Sequence, residues 1–340
     1  MTGPALHIGD VAIDNPFILA PLAGLTNWPF RRLAKEAGAG LTVSEMASAT
    51  ALSFKGKATL KMLDTDKSVE TPYCVQLFGK EPERMAIAAQ IAVERGADLI
   101  DLNMGCPARK VIGSGHGSAL LKEPETVRAI VRAMVKAVKV PITVKTRPAF
   151  APNVGATVFD LLPMLVDEGV AAITLHPRMT CEGFSGEADW SVVARLAEKS
   201  PIPIIGSGDV TTADEALHRL RNYGVAAVMI GRGAKGRPWL FRQCLAAWRG
   251  EEVTPATLDE RLETAIRHAR LLAEAVGGKA PYMLRTVLMW YTKSLHGASE
   301  FRARICREEN LETQISLLTE CVERHKAAEA AGGNTAVHSI

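Results

Sequence analysis

The 340-residue chain is poor in aromatic side chains and in net charge. Aromatic residues make up only 5% of the chain, which disfavours a surface that stacks single-stranded nucleic acid on aromatic rings. The net charge is +3, so any basic binding surface must be local. No apolar run approaches the ~20 residues that span a bilayer, and the first residues lack the pattern of a secretory signal. We therefore expect a cytoplasmic protein without a membrane partner.

The chain also lacks closely spaced cysteines. Its six cysteines form no C-x-x-C pair, and this spacing predicts neither a disulfide framework nor a zinc site. We expect no bound metal. The cysteines are Cys74, Cys106, Cys181, Cys244, Cys306 and Cys321.

Short apolar runs alternate with longer amphipathic segments through the first 250 residues. Eight of these runs are rich in aliphatic residues, as buried parallel strands are. They cover 17–20, 41–44, 73–78, 98–103, 142–145, 172–176, 203–207 and 227–231. Eight strand–helix units predict an α/β fold, a (β/α)8 TIM barrel. A doubly wound open sheet is the alternative that the pattern leaves open.

The pattern changes near Gly250. A polar stretch follows, and after it the sequence shows helical spacing without strands. We predict a barrel domain over 1–250, a small helical domain over 255–328 and a disordered tail over 329–340.

Functional side chains of a TIM barrel stand at the carboxyl ends of its strands. The sequence places Gln76, Asn103, Lys145, Arg147, His176 and Arg178 at such ends, with Lys145 and Arg147 on one face of their strand. A lysine there is either a surface charge or an electrostatic partner for a bound group, and a histidine there is either a core residue or part of a site. Several polar groups at several strand ends favour a convergent site.

The stretch IDLNMGCPARK, residues 100–110, holds the most distinctive of these positions. A free cysteine is usually a small buried hydrophobe, but Cys106 stands between Gly105 and Pro107 on a turn after a buried strand. Arg109 and Lys110 follow, and they could lower the pKa of a thiol or hold an anionic substrate. The residues alone leave open whether Cys106 is a nucleophile or an acid.

Two glycine-rich stretches, GSGDV (206–210) and IGRGAKGRP (230–238), follow the last two predicted strands. TIM barrels often bind phosphate at this place, with backbone amides and a basic side chain such as Arg232 as donors. The alternative is that these glycines only form tight turns.

Four segments, 20–46, 75–111, 117–121 and 228–243, resemble the tRNA-dihydrouridine synthase family, and its bacterial B-type subgroup most. The motifs NMGCP and PLAGLT carry the resemblance, and the helical tail is similar to that family's RNA-binding domain. The resemblance implies that NADPH reduces FMN, that the flavin N5 delivers hydride to C6 of a uracil in tRNA, and that Cys106 protonates C5. It further implies a barrel that binds FMN. We expect a monomer in solution, and the sequence leaves ribosomal RNA open as a substrate.

The resemblance also assigns roles to individual residues. Asn103 is implied to contact the uracil, and we add Arg178 as a second substrate residue. Residues of the barrel mouth are implied to bind FMN, namely Pro21, Leu22, Ala23, Gln76, Lys145, His176, Ser207, Gly208, Asp209, Gly231 and Arg232. Five basic side chains and one acidic one give the stretch 285–307 a local net charge of +4, which indicates RNA contact; an ordinary solvated helix face is the alternative. The predicted RNA-binding residues are Arg109, Lys110, Arg285, Lys293, Arg302 and Arg304.

Three positions depart from the family pattern. Ser207 stands where asparagine is usual, Pro177 replaces a glycine beside His176, and the loop 112–117 lacks the usual basic residues. Two other functions stay open. One is a flavin-dependent reductase or dehydrogenase of a free pyrimidine-like molecule, and the other is an RNA-binding protein without catalysis.

Overall fold

The computed structural model describes residues 5–331, and these form two compact units. The first contains the chain up to Ala234 together with Leu240–Val253, and the second contains Lys235–Trp239 and the chain from Thr254. The polar stretch after Gly250 lies where the chain passes from the first unit to the second.

Eleven strands belong to the first unit. They are β1 (Leu6–Ile8), β2 (Val11–Ile13), β3 (Phe17–Leu19), β4 (Leu41–Val43), β5 (Ala47–Ser48), β6 (Tyr73–Phe78), β7 (Leu99–Met104), β8 (Ile142–Thr146), β9 (Ala172–Leu175), β10 (Ile204–Ser207) and β11 (Ala227–Ile230). Strands β3, β4 and β6–β11 pair in parallel, and β11 returns to β3 and closes the ring. The predicted TIM barrel is confirmed, and each of its eight strands lies within one residue of the predicted bounds.

The sequence analysis did not predict the antiparallel hairpin of β1 and β2. Its buried residues Leu6, Ile8 and Ile13 belong to the same apolar cluster as Leu41 and Leu99, which begin two barrel strands. The hairpin therefore covers the amino-terminal end of the barrel, and the carboxyl end is the end left for a site.

Ten helices accompany these strands. They are α1 (Trp28–Glu36), α2 (Ala49–Ser53), α3 (Lys57–Met62), α4 (Pro82–Glu94), α5 (Arg109–Gly113), α6 (Pro124–Ala137), α7 (Val158–Asp167), α8 (Trp190–Lys199), α9 (Ala213–Asn222) and α10 (Leu240–Arg249). Proline in the first turn starts α4 and α6. Capping boxes at Thr157 and Thr212 start α7 and α9.

The second unit is helical. It contains α11 (Leu258–Val276), α12 (Ala280–Tyr291), α13 (Ala298–Ile305) and α14 (Leu311–Ala330). Leu272, Leu284, Leu288 and Leu318 are in its core, and Trp239 packs there too. This burial explains why the segment Lys235–Trp239, which we assigned to the barrel domain, leaves the first unit.

The last helix runs to Ala330, two residues past the predicted end of the helical domain. Most of the predicted tail, 332–340, lies outside the described residues. Within residues 5–331, no helix has both the length and the apolar character to span a membrane.

A buried ion pair holds the loop after β3. Arg31 is fully buried, and its Nε lies 2.6 Å from Oε1 of Glu70. The same guanidinium donates to the carbonyl of Thr26 at 2.8 Å and to that of Asp64 at 2.6 Å. Thr42 donates to the Glu70 carboxylate at 2.6 Å. Arg31 therefore connects three separate parts of the chain.

We expect Arg31→Met to destabilise the protein by about 3–5 kcal/mol, because it leaves the Glu70 carboxylate buried without its partner. Urea unfolding, followed by circular dichroism, measures the change. The double variant Arg31→Met/Glu70→Leu should recover part of the loss. Arg132→Met, which removes an exposed partner of Glu168, should unfold close to wild type. Equal losses in the two single variants would contradict this account.

Candidate active site

Cys106 lies on the loop that follows β7, and its backbone is held from two sides. The Asn103 side-chain oxygen accepts hydrogen bonds from the backbone N–H of Gly105 at 3.3 Å and of Cys106 at 3.0 Å. The Cys106 carbonyl accepts bonds from the Ser118 N–H at 3.2 Å and hydroxyl at 2.9 Å. The thiol is half-buried, so it is both fixed in place and accessible.

Gly117 lies directly against this loop. Its φ is +60°, and a β-carbon at Gly117 would stand 2.9 Å from the Cys106 carbonyl oxygen and 3.1 Å from the Cys106 β-carbon. Only glycine fits both the left-handed backbone and the close approach. The loop 112–117, where this chain departs from the family pattern, therefore includes the close contact between Gly117 and the Cys106 backbone.

Arg147 joins the Cys106 loop to the loop that follows β9. Its side chain is buried, and its Nε donates to the Gly105 carbonyl at 2.9 Å. Its terminal nitrogen donates to the carbonyls of Arg178, Met179 and Gly183. Burial, with Arg178 nearby, lowers the pKa of Arg147 to about 10, so the side chain is charged at neutral pH. The sequence placed Arg147 on one strand face with Lys145, but it assigned Arg147 no role.

The half-buried Lys145 lies within electrostatic reach of the buried Asp101 carboxylate. They project from the neighbouring strands β8 and β7, where Asn103 pairs with Lys145 in register. Burial lowers the pKa of Lys145 to about 8, while the Asp101 carboxylate acts in the opposite direction and Arg147 lowers it further. Burial raises the pKa of Asp101 to about 6, against hydrogen bonds from Gln76 and Thr143. Lys145 therefore places a cationic group at the barrel mouth below about pH 8.

Gln76 lies between Asp101 and Asn103. Its amide nitrogen donates to Asp101 at 2.7 Å, and its amide oxygen accepts from Asn103 at 2.8 Å. Thr143 donates to the other Asp101 oxygen at 2.7 Å. The predicted site residues Gln76 and Asn103 are therefore brought together, and Asp101 is a member of their network that the predictions missed. An acidic residue within an apolar strand was the available signal.

His176 contributes an unpartnered buried nitrogen. Its Nδ1 lies 3.2 Å from the Ser207 carbonyl oxygen. Because a carbonyl only accepts, Nδ1 carries the proton, and Nε2 is left as a buried acceptor without a partner among the described residues. Burial, together with Lys145 and Arg147, lowers the pKa of His176 to about 3. The ring is therefore neutral, and its open nitrogen suits a ligand that donates a hydrogen bond.

Asp209 organises two arginines after β10. Its carboxylate lies 2.5 Å from Arg178 and 3.0 Å from Arg232, and it accepts from the Ala188 N–H at 2.8 Å. Burial opposes ionisation, but the bonds from Arg178 and Ala188 hold the pKa of Asp209 below its usual value. Arg178 is almost fully buried, whereas Arg232 is largely exposed. Arg178 is thus engaged within the protein, and Arg232 is the more accessible guanidinium.

The glycines of the two glycine-rich stretches, 206–210 and 230–238, differ in their surroundings. A β-carbon at Gly206 would collide with the Trp190 ring, and one at Gly233 would collide with the Val210 carbonyl. A β-carbon at Gly231 would meet only ordinary contacts, the nearest at 3.6 Å. Close packing within the protein therefore explains Gly206 and Gly233, whereas Gly231 leaves space for a ligand to approach closely.

The loop after β3 holds the predicted cofactor residues Pro21, Leu22 and Ala23. Its turn is closed by the Thr26 hydroxyl, which accepts from the Leu22 N–H at 2.9 Å. Glu45, from the loop after β4, accepts from the Gly24 N–H. Pro21 and Leu22 are half-buried, and Ala23 is exposed.

Phe184 is an exposed aromatic ring at the same end of the barrel, and the site predictions did not include it. Its side chain is 56% exposed. The guanidinium carbons of Arg147 and Arg232 lie 5.4 and 5.0 Å from its ring centre, and the His176 ring lies 6.0 Å away. A single phenylalanine in a loop after a strand gives no indication of a functional role in the sequence alone.

The predicted RNA-binding residues lie in both units. Arg109 and Lys110 are exposed on α5, just after the Cys106 loop. In the helical unit, Lys293 and Arg302 are exposed. Arg304 contacts Glu320 at 2.8 Å, and Arg285 contacts Glu309 at 3.4 Å. These acidic partners lie outside the window 285–307, so part of its predicted positive charge is neutralised locally.

The barrel is similar to solved structures in fold alone. An old yellow enzyme homologue from Zymomonas mobilis aligns with a TM-score of 0.56 at 14% identity, over 75% of this chain and 94% of that one. A 2-naphthoyl-CoA reductase aligns with a TM-score of 0.56 at 12% identity, over 72% of this chain and 52% of that one.

Sequence comparison defines the family. The sequence model described as dihydrouridine synthase matches residues 18–329. The chain is 38% identical over 317 residues to tRNA-dihydrouridine synthase B of Escherichia coli, covering 92% of this chain and 98% of that protein. It is 37% identical over 302 residues to a probable tRNA-dihydrouridine synthase of Rickettsia conorii, covering 88% and 91%. The chain therefore belongs to the dihydrouridine synthase family and is an oxidoreductase, as the motifs predicted.

We expect Gly117→Ala to loosen the Cys106 loop, because the added methyl group meets the Cys106 backbone and strains a left-handed residue by roughly 1–2 kcal/mol. Iodoacetamide labelling read by mass spectrometry should show Cys106 reacting several-fold faster, relative to the exposed Cys181. Gly115→Ala is the matched control, because its φ is +80° but its nearest contact is the Lys80 side chain at 3.4 Å. Equal labelling rates in the two variants would contradict the contact argument.

Proposed function

We propose that this protein reduces specific uridines of tRNA to 5,6-dihydrouridine, with FMN as cofactor and NADPH as reductant. One observation carries the proposal. At the carboxyl end of the barrel, the Asn103 side chain holds the backbone of Cys106. Asn103 belongs to a hydrogen-bond network with Gln76 and the buried Asp101, whose charge is opposite to that of Lys145. Membership in the dihydrouridine synthase family and the names of the relatives support the reaction and the tRNA substrate.

The residues at the barrel mouth fit a flavin. His176 offers an unpartnered acceptor nitrogen, and Lys145 offers a positive charge beside it. Arg232 and the open space at Gly231 suit a phosphate after the last strand. We assign Pro21, Leu22, Ala23, Gln76, Ser207 and Gly208 to the same site, with Asp209 as the residue that holds Arg232 in place.

FMN, when bound and reduced, supplies a hydride to C6 of the uracil. The protein's own residues supply the proton and the position. A positioned cysteine thiol can act as a general acid, so we assign the Cys106 Sγ–H as the group that transfers its proton to C5. Asn103 holds the Cys106 loop, and we assign it a contact to the base as well. Arg178 forms an ion pair with Asp209. We propose that it contributes to substrate binding by holding the loop after β9 in shape.

The helical unit is proposed to bind the RNA. Phosphate contacts fix the position of a nucleic acid, and the exposed Lys293 and Arg302 are available for them. Arg109 and Lys110 are placed to meet phosphates close to Cys106, and Arg285 and Arg304 would exchange their glutamate partners for phosphate. The target base has to leave its stack to reach the barrel mouth.

We expect the purified protein to form dihydrouridine in unmodified tRNA transcripts when NADPH and FMN are supplied, because Cys106 completes the addition to the double bond. Mass spectrometry of the RNA measures the product. Cys106→Ala should lower the rate by at least a hundredfold, as loss of a general acid does. Cys306→Ala, an exposed cysteine of the helical unit, should behave as wild type.

Three other results would each change the conclusion. Product in ribosomal RNA but not in tRNA would change the substrate class. Oxidation of NADPH with free uracil or orotate, and not with RNA, would favour a small-molecule reductase. Tight RNA binding without turnover would favour a binding protein.

We expect Lys145→Met and His176→Leu to weaken FMN binding by at least tenfold, because each removes a half-buried polar group at the barrel mouth. Fluorescence quenching during titration of apoprotein measures the affinity. Burial depresses the pKa of Lys145 to about 8, so its charge is present below that pH and is lost as the pH rises through it. Wild-type affinity should fall across this range, and that of Lys145→Met should not. Lys136→Met, an exposed lysine of α6, is the control, and equal losses in it would contradict the assignment.

A further inference from the structure

Asp101 is buried in the barrel wall, and the proposed chemistry gives it no direct contact with substrate. Its side chain is 3% exposed on β7, five residues before Cys106. Its two oxygens accept from Thr143 at 2.7 Å and from Gln76 at 2.7 Å. A buried carboxylate is costly unless its partners compensate for lost water, so its position demands an explanation.

The hydrogen bonds that start at Asp101 run in one direction. An ionised carboxylate only accepts, so Gln76 must turn its NH₂ group towards Asp101. The Gln76 oxygen then faces Asn103, and Asn103 must turn its own NH₂ group towards Gln76. The Asn103 oxygen is left facing the N–H groups of Gly105 and Cys106, which only donate. Each amide orientation follows from the one before it.

We propose that Asp101 is a positioning residue for Cys106, which acts by fixing the orientation of the Gln76 and Asn103 amides. Asp101 touches neither the thiol nor the base. It defines which atom of Asn103 faces the loop, and the loop N–H groups then hold Cys106 in its place. The order of the loop does not depend on the proposed function, whereas its effect on turnover rests on that function.

Two properties of Asp101 have to be separated, because the carboxylate also balances the charge of Lys145. Asp101→Asn keeps the amide orientation: its oxygen can accept from Gln76, and its NH₂ group can donate to the Thr143 hydroxyl. It removes only the charge. Asp101→Leu removes both the charge and the acceptor. Orientation therefore predicts that the asparagine variant keeps the loop ordered and that the leucine variant does not.

Hydrogen exchange read by mass spectrometry on the peptide that contains Gly105 and Cys106 tests the proposal without RNA or NADPH. We expect exchange at least tenfold faster in Asp101→Leu, and within threefold of wild type in Asp101→Asn. Iodoacetamide labelling of Cys106 should change in parallel. If the RNA assay succeeds, Asp101→Leu should lower kcat and leave KM for tRNA within twofold.

A double-variant cycle tests whether the effect passes through Asn103. Asn103→Ala already breaks the series of hydrogen bonds from Asp101 to the loop. Adding Asp101→Leu to this variant should therefore change hydrogen exchange in the loop by less than twofold. If Asp101→Leu fails to fold, Gln76→Met breaks the same series of hydrogen bonds and leaves Asp101 bonded to Thr143. This variant should also speed hydrogen exchange in the loop at least tenfold. Three results would each overturn the proposal. The first is unchanged hydrogen exchange in the variants that break the series of hydrogen bonds, and the second is equal effects of Asp101→Leu and Asp101→Asn. The third is an additive effect of Asp101→Leu in the Asn103→Ala background. These readouts stand even if no RNA substrate is found.

Discussion

The carboxyl end of this barrel depends on one constraint: polar groups buried in its wall have to find their hydrogen-bond partners inside the protein. Asp101, Gln76 and Asn103 satisfy it as a chain in which each donor meets an acceptor. Arg147 satisfies it by donating to carbonyls of two loops that are far apart in sequence. The Cys106 loop is therefore held by complementary hydrogen-bond donors and acceptors.

The electrostatics of the site follow from the same burial. Lys145, Arg147, Arg178 and His176 lie close together, yet the histidine is neutral because burial and its cationic neighbours disfavour its charge. Asp101 and Asp209 each stabilise a different cation. The mouth thus combines fixed positive charge with a neutral acceptor, a mixture that suits a ligand with both an anionic end and a hydrogen-bond donor.

The sequence was sufficient for the barrel, because eight apolar runs separated by amphipathic helices have few other ways to bury their surface. It also located Gln76, Asn103, Cys106, Lys145 and His176, since strand ends meet at one end of a barrel. It gave no role to Asp101, Arg147 or Phe184, because their contacts come from side chains and backbone groups that are distant in sequence. The local charge of 285–307 was overestimated in the same way, because Glu309 and Glu320 approach from outside the window.

The closure of the ring has a consequence for the order of folding. Strand β3 pairs with β11, and Phe17 lies opposite Val228, about 210 residues away in sequence. During synthesis the first barrel strand leaves the ribosome early, but its second neighbour exists only when nearly all of the barrel has been made. Contacts so distant in sequence form slowly, since a long loop must close before they contribute. Until then β3 has one open edge, and an open edge is where pairing with another chain begins.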